Sequence, residues 1–296
     1  MAAERLPLLV IVGPTAAGKS ALAMTRAQAS SSEIVSADSV QVYRGLDIGS
    51  AKPTAAEREA VPHHGLDLWN PSEQANAGAW VAAVEPVLQR LHAEGRVPVV
   101  CGGTGLWVRA LLEGLAEVPE VPSEVRDAVR GRLEQEGAPA LHAALTKVDP
   151  RSAAKISPGD SQRVSRAFEV YLATGTPLSS FQDSHRQRLA ADGRRYAAHL
   201  VGVFPERGTL EQRIAERAAR MVDEGLVDEV RGLLGRGVPS SAPALQTLGY
   251  REIVQALEDG LPARDVLVRR LATAHRRYAK RQLTWWRDVT FDERVG

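Results

Sequence analysis

Eight residues near the start of the chain, Gly13-Pro14-Thr15-Ala16-Ala17-Gly18-Lys19-Ser20, carry a spacing that can hold a phosphate chain. They follow the apolar run Leu8-Leu9-Val10-Ile11-Val12 and precede the helix-favouring Ala21-Leu22-Ala23-Met24. The pattern G-x-x-x-x-G-K-S therefore lies between a buried strand and a helix N-terminus, the context that gives it meaning. Gly13 and Gly18 let the backbone turn its N–H groups inward. The helix dipole adds partial positive charge there, and Lys19 adds a full one. Ser20 supplies a hydroxyl suited to Mg²⁺. The stretch predicts a site for a diphosphate or triphosphate, the bland alternative being an ordinary glycine turn.

Two further groups face the same way. Glu33-Ile34-Val35-Ser36 reads as a strand running into Ala37-Asp38-Ser39-Val40-Gln41-Val42-Tyr43. Asp38 then sits past a strand's carboxyl end, where open α/β sheets hold ligands; the competing reading is a turn or capping aspartate. Val97-Pro98-Val99-Val100-Cys101 reads as a strand that breaks at Gly102-Gly103-Thr104-Gly105, bringing Thr104 to the same crevice. Phosphoryl transfer needs Mg²⁺ held by a second acid, commonly an aspartate ending an apolar strand. Here that strand ends in Gly-Gly-Thr, and no guanine-reading N-K-x-D occurs. Two chemistries remain open. In one, a small-molecule kinase uses Asp38 as its base; in the other, the diphosphate is a leaving group and carbon moves. His63-His64 has no third ligand nearby and is expected as a pair of loop histidines, solvent-facing or hydrogen-bonded.

The elements that must position these groups alternate β-α-β-α-β-α up to Leu112, with Trp80, Val84, Val87, Leu88 and Leu91 on one side of a helix over Ala77–Glu94. This predicts an α/β fold: a P-loop NTPase-like parallel sheet flanked by helices. A proline-marked exit, Glu117-Val118-Pro119-Glu120-Val121-Pro122, opens a segment read as all helix: Ser123–Glu136, Pro139–Lys147 and Ser161–Thr174. A polar stretch, Gly175–Arg195, leads back to a strand at His199–Val203. The expected organisation is a core of residues 1–115 and 197–296 with a helical insertion domain, 116–196, of the kind that serves as a lid or arm. Helices follow over Thr209–Glu224, around Leu226–Leu234 and over Arg251–Glu258. In the first, Arg213 and Arg217 share a face by their i, i+4 spacing. Pro262–Arg287 reads as one basic helix with eight Arg or Lys against Asp265 alone. That charge run is a solvated face or a grip for phosphates.

Composition sets the outer bounds. The 296 residues suffice for one large domain or two smaller ones, and 37 basic against 36 acidic residues give no global pull toward nucleic acid. A single cysteine, Cys101, excludes an internal disulfide and suits a reducing compartment. No apolar run approaches a membrane span, and the N-terminus lacks the basic-then-apolar pattern of a leader. A cytoplasmic enzyme, monomeric and away from membranes, is expected.

Taken together the residues resemble the tRNA dimethylallyltransferase family over essentially the whole length. The resemblance is carried by Gly13–Ser20, Ser36–Pro53, Pro62-His63-His64, Gly102-Gly103-Thr104-Gly105-Leu106, Asp149-Pro150, Gln162–Ala167, Gly249-Tyr250-Arg251-Glu252 and Ala279-Lys280-Arg281-Gln282-Leu283-Thr284-Trp285. Ser20 and Ser50 stand where Thr is usual, Leu46 for Met and Trp107 for Tyr. Ala75–Trp80 follows the family pattern only loosely on what the resemblance makes one side of the prenyl pocket.

The resemblance implies transfer of the dimethylallyl group of dimethylallyl diphosphate to N6 of the adenosine 3′ to the anticodon. Gly13, Pro14, Thr15, Ala16, Ala17, Gly18, Lys19 and Ser20, with Arg213, would bind the diphosphate, Ser20 meeting a Mg²⁺ held largely through it. Asp38, Thr104 and Arg217 would be catalytic, Asp38 taking the N6 proton and Arg217 reaching the leaving oxygens. The tRNA anticodon stem-loop would be bound by Asp38, Ser39, Val40, Gln41, Thr104, Arg126, Gln162, Arg163, Val164, Ser165, Arg166, Gly249, Tyr250, Arg251, Lys280 and Arg281. A prenyltransferase for free adenine nucleotide would share the core but has no need of the arm. A pure RNA-binding protein would have no use for Lys19.

Overall fold

Alternate residues of the first strand serve two faces of one sheet. Leu8, Val10 and Val12 join the larger apolar cluster, while Ile11 packs with Ala23 and Ala27 on the other face. Both faces are buried, so the run reads as continuously apolar, as strands of covered parallel sheets do. This computed structural model describes residues 5–296; the opening residues read above for a leader fall partly outside that range.

Up to Leu112 the elements are β1 (Pro7–Val12), α1 (Lys19–Ala29), β2 (Ile34–Ser36), α2 (Ala55–Ala60), β3 (His63–His64), α3 (Ala77–Ala93), β4 (Val99–Gly102) and α4 (Gly105–Glu113). The helices α5 (Ser123–Val148), α6 (Pro150–Ala153), α7 (Ser161–Thr174) and α8 (Leu178–Asp192) follow. Then come β5 (Ala197–Val203), α9 (Arg207–Asp223), α10 (Leu226–Gly235), α11 (Tyr250–Glu258), α12 (Arg264–Trp286) and β6 (Glu293–Val295). The strands form one sheet in the order β3-β2-β4-β1-β5-β6, every pair parallel. Because β2, β4 and β1 are neighbours and parallel, the loops after all three leave the same edge of the sheet. Asp38, Thr104 and the Gly13–Ser20 loop are brought together by that topology alone.

The chain divides into two compact units, one of residues up to Leu112 plus Arg195–Gly296, the other Glu113–Arg194. In the first, Trp80 is fully buried, stacks on Trp107 at 5.3 Å between ring centroids and donates its indole N–H to Ser36 at 3.0 Å. Glu33 ties β2 to the edge: it accepts from His64 at 2.6 Å, Arg90 at 2.6 Å and Arg96 at 2.9 Å. Burial alone would raise its pKa, but the hydrogen bonds from Arg90 and His64 pull it down to about 2. A folded-state pKa below the unfolded one gives stability that is present at neutral pH and lost as the pH falls toward 2.

The second unit holds its own small core of Val129, Leu141, Leu145, Ala153, Val164, Ala167 and Phe168. Helix α5 is two pieces: Gly137, at φ 80° and ψ 164°, breaks it just before Pro139. Fully buried Asp149 caps α6 through Ser152 at 3.0 Å and accepts the Ser179 N–H at 3.0 Å, joining α6 to the start of α8.

Several elements differ from the sequence reading. The polar stretch Gly175–Arg195 contains α8, which has no apolar stripe to announce it; Ser179 is its one buried residue and Asp183 anchors it by pairing with Arg151 and Arg186. The segment between Pro53 and Pro62, for which the sequence predicted no element, contains α2, capped by a Thr54–Glu57 box. His63-His64 forms an edge strand rather than a loop, and β6 lies past the last predicted helix, pairing with β5. These are short or unpatterned pieces that owe their conformation to pairing or capping, not to periodicity.

Candidate active site

The Gly13–Ser20 loop curls tightly between β1 and α1. Gly13 takes φ 152° and passes so close to β5 that a Cβ would lie 2.3 Å from the Val203 carbonyl oxygen, which only glycine permits. Ala16 at φ 63° and Gly18 at φ 101° complete the curl. Helix α1 begins at Lys19 with no side-chain cap and no acid in its first turn, so its N–H groups and dipole are open to an anion. Lys19 donates to the Pro14 carbonyl at 2.7 Å, and Arg213, itself exposed, donates to that of Ala17 at 3.0 Å.

Beside the loop lies a cavity of about 140 Å³, bordered by Thr15, Lys19, Ser20, Asp38, Arg217, Tyr278 and Gln282 among others. Burial lowers the Lys19 ammonium to about 8 against opposing help from Cys101 and Asp38, with Arg217 lowering it further. Burial likewise lowers the Arg217 guanidinium, whose Nε is buried without a hydrogen-bond partner among the described residues. Among the described residues its Nη2 reaches only the Ser50 carbonyl, at 3.5 Å. A desolvated guanidinium with an orphan donor is a group waiting for an anion.

Asp38 borders the cavity and also closes its own turn. Its Oδ1 accepts from the backbone of Val40 at 2.8 Å and Gln41 at 3.3 Å, while Oδ2 takes no hydrogen bond among the described residues. One oxygen orients the group and the other is left to accept a proton. Thr104 Oγ1 accepts the Ser39 N–H at 3.1 Å, locking the two loops together. The backbone after Asp38 is held from below by Glu229, which accepts from Ile48 at 2.8 Å and from the Tyr250 hydroxyl at 2.6 Å. Lys52, with its side chain 1% exposed, pairs with Asp47 at 2.7 Å and Asp67 at 2.6 Å in the same segment.

The remaining expected residues divide by exposure. Arg126, Gln162, Arg163 and Arg166 are exposed on the helical unit, and Lys280 and Arg281 on α12. The Arg281 guanidinium lies 5.4 Å from the Tyr278 ring centroid. Arg251 borders a groove of about 560 Å³ with Arg269, Arg270 and Arg277. Three residues of the expected RNA-binding set have side chains engaged within the protein. Val164 is fully buried in the helical core, Tyr250 is fully buried with its hydroxyl on Glu229, and the Gln41 amide is spent on Ser50 at 3.2 Å and Ala51 at 3.0 Å. Ser165 keeps its Oγ buried, and Gly249, at φ 90°, opens α11 beneath the Glu252 carboxylate at 2.7 Å. Ala75–Trp80 does not border the cavity; Trp80 is core, and the apolar wall is Ala23, Met24 and Ile34.

Sequence reading passed over Tyr278 and Gln282 as site residues. They are one turn apart on α12 and both border the cavity. Burial, and then the charge of Asp38, pushes the Tyr278 hydroxyl up to about 12, keeping it a proton donor. The signal was present in Gly103 and Gly105, where added Cβ atoms would lie 2.2 Å from Gln282 and 2.1 Å from Trp285. Those glycines make room for a helix.

The IPP transferase family model matches residues 41–289, and a second, isopentenyl transferase, matches residues 6–66. The chain belongs to the IPP transferase family. Among curated relatives, a tRNA dimethylallyltransferase of Sorangium cellulosum is 45% identical over 95% of this chain and 88% of its own length. One of Methylibium petroleiphilum is also 45% identical, over 100% of this chain and 90% of its own. The fold is similar to that of a tRNA isopentenylpyrophosphate transferase from Bacillus halodurans, with TM-score 0.67, 35% identity, and coverage of 98% and 88% of the two chains. It is also similar to a eukaryotic dimethylallyltransferase solved acting on tRNA, with TM-score 0.79, 25% identity, and coverage of 95% and 70%.

Proposed function

We propose that this chain is a tRNA dimethylallyltransferase: it moves the dimethylallyl group of dimethylallyl diphosphate to N6 of the adenosine 3′ to the anticodon and releases diphosphate. The observation that carries the reading is the pairing of two half-buried cations, Lys19 and Arg217, with the Asp38 carboxylate across one small cavity. No acid ends β4, as a Mg²⁺-ATP machine would require, so the cradle suits a leaving group better than an attacked phosphorus.

In this mechanism N6 attacks the allylic C1, the N6–C1 bond forms and the C1–O bond breaks, its electron pair passing to the diphosphate. Lys19, Arg217 and the N-terminus of α1 stabilise the charge that grows on those oxygens. The N6 proton passes to Oδ2 of Asp38. An exocyclic amine is a weak nucleophile because its lone pair is delocalised, and a placed base contributes about 10²–10⁴-fold. Thr104 orients the reacting groups from the neighbouring loop. The residues present suit Mg²⁺, which takes phosphate oxygens and water beside few protein ligands; Ser20 would supply the hydroxyl. When bound, the ion neutralises diphosphate charge. The target base must leave its stack to enter so small a site, which favours a single-stranded loop. Exposed Arg126, Gln162, Arg163, Arg166, Arg251, Lys280 and Arg281 are the phosphate-binding set, and the enzyme works as a cytoplasmic monomer.

The test is incubation of the enzyme with unmodified tRNA, dimethylallyl diphosphate and Mg²⁺, followed by mass spectrometry of the digested nucleosides. A gain of one prenyl group on the adenosine beside the anticodon is expected. Transfer to free AMP in preference to tRNA, or ATP turnover without prenyl transfer, sinks the reading.

A further inference from the structure

The phosphate loop and the Gly102–Gly105 turn end different strands, and a single side chain from the far end of the chain bridges them. Gln282 Oε1 accepts the Thr15 N–H at 2.8 Å, and its Nε2 donates to the Gly103 carbonyl at 3.0 Å. The residue is 6% exposed, so both bonds are shielded from water, and a partner left unpaired there pays a full desolvation penalty. The approach is close: a Cβ on Gly103 would lie 2.2 Å from Gln282 Nε2 and 3.3 Å from the Gly13 carbonyl oxygen. Turn, loop and helix meet at one point.

The chemistry of the amide matters. A carboxamide carries an acceptor and a donor in one rigid plane; Glu offers only acceptors when ionised and Lys only donors. Asn offers the same donor and acceptor pair but one methylene shorter. The chain neighbours of Gln282, Arg281 and Leu283, are exposed, so the outward and inward roles of α12 can be separated by mutation.

We propose that Gln282 is a positioning residue that sets the span between the phosphate cradle and the turn carrying Thr104, and so holds leaving group and acceptor at reacting distance. This rests on the prenyl-transfer reading above. Diphosphate is bound on the Thr15–Ser20 side of the span, and the acceptor amine is oriented on the Thr104 side. A misplacement of about 1 Å between reacting groups can cost about 10²-fold in rate. The bond to Thr15 also settles which loop N–H groups turn toward the ligand, because that one is already committed.

Gln282→Met keeps the length and bulk of the side chain and removes both hydrogen bonds. The expected result is a kcat at saturating tRNA and dimethylallyl diphosphate lowered at least tenfold, with tRNA Kd within twofold of the parent. A kcat within twofold of the parent overturns the proposal, even if Tm falls, since Gln282 is then packing only. A weakened tRNA Kd with unchanged kcat overturns it too, since Gln282 is then an RNA contact. The unaltered enzyme gives a second measurement should the variant fail to fold. The Thr15 amide should be strongly protected from hydrogen exchange before any ligand is added, and rapid exchange there overturns the clamp. Calorimetry with inorganic pyrophosphate and Mg²⁺ on the same protein keeps the two readings apart. Absence of pyrophosphate binding would remove the cradle's proposed ligand, while Thr15 protection reports on the clamp by itself.

Discussion

The two units use positive charge in opposite ways. In the sheet unit, Lys19 and Arg217 border a cavity, are half-buried and form no ion pair among the described residues. In the helical unit, Arg163 and Arg166 have side chains 71% and 48% exposed and sit beside Asp160 at 3.4 Å and Glu169 at 4.0 Å. A buried cation without a partner is costly and persists where a ligand repays the cost, whereas an exposed one near a carboxylate is worth little to stability. The first arrangement suits chemistry on a small anion; the second suits a large polyanion held by many weak contacts. Perturbing each region should therefore give different kinetic signatures.

The largest effect is expected at Asp38. Asp38→Ala should lower kcat by about 10²–10⁴-fold, the usual contribution of a placed base. Pyrophosphate affinity should stay within a few-fold of the parent. A large loss of that affinity instead would move Asp38 from proton transfer to the diphosphate and its metal. Lys19→Ala comes next and should differ in kind. It should raise the KM for dimethylallyl diphosphate and also slow turnover, together about 10²–10³-fold in kcat/KM, as loss of one charge-stabilising donor does. An unchanged KM would detach Lys19 from the cradle.

The fold and the heart of the site were legible because their signals are local. An apolar run, two glycines, a lysine and a helix-forming tail define the phosphate loop without reference to anything distant. Asp38 and Thr104 were legible because parallel strands send their following loops to one edge. What stayed hidden depends on contacts across the chain. Gln282 meets Thr15 across 267 positions, and nothing beside it in sequence says that it points inward while Arg281 points out. Val164 and Tyr250 sit in motifs rich in RNA-suited neighbours, yet they are the core-facing members of those motifs. Helix α8 has one buried residue, Ser179, so hydrophobic periodicity had nothing to report.

A smaller, graded effect separates the two kinds of cation by pH. Burial pushes the Lys19 ammonium down to about 8. Only the protonated amine attracts diphosphate strongly, so affinity is full below 8 and falls as the pH rises through it. The KM for dimethylallyl diphosphate should therefore be flat up to about 8 and then climb, approaching tenfold per pH unit. Lys19→Arg should remove the bend, since guanidinium keeps its proton throughout. A bend that persists in that variant belongs to another group.

The smallest effect is expected on the helical unit. Arg163→Ala should weaken tRNA binding about three- to tenfold and reduce the slope of log affinity against log salt by about 1, the signature of one lost phosphate contact. Because the loss is of binding alone, kcat at saturating tRNA should not move, and neither should the KM for dimethylallyl diphosphate. Arg166→Ala should behave alike, one turn along the same exposed stripe of α7. If either variant instead lowered kcat at saturation, the arm would be shaping the reacting geometry and not only holding RNA, and the contrast between a buried site for chemistry and an exposed one for grip would fail at that residue. If neither changed tRNA affinity or its salt dependence, the exposed arginines of α7 would be a solvated face, and the grip would have to lie on α12 and the Arg251 groove.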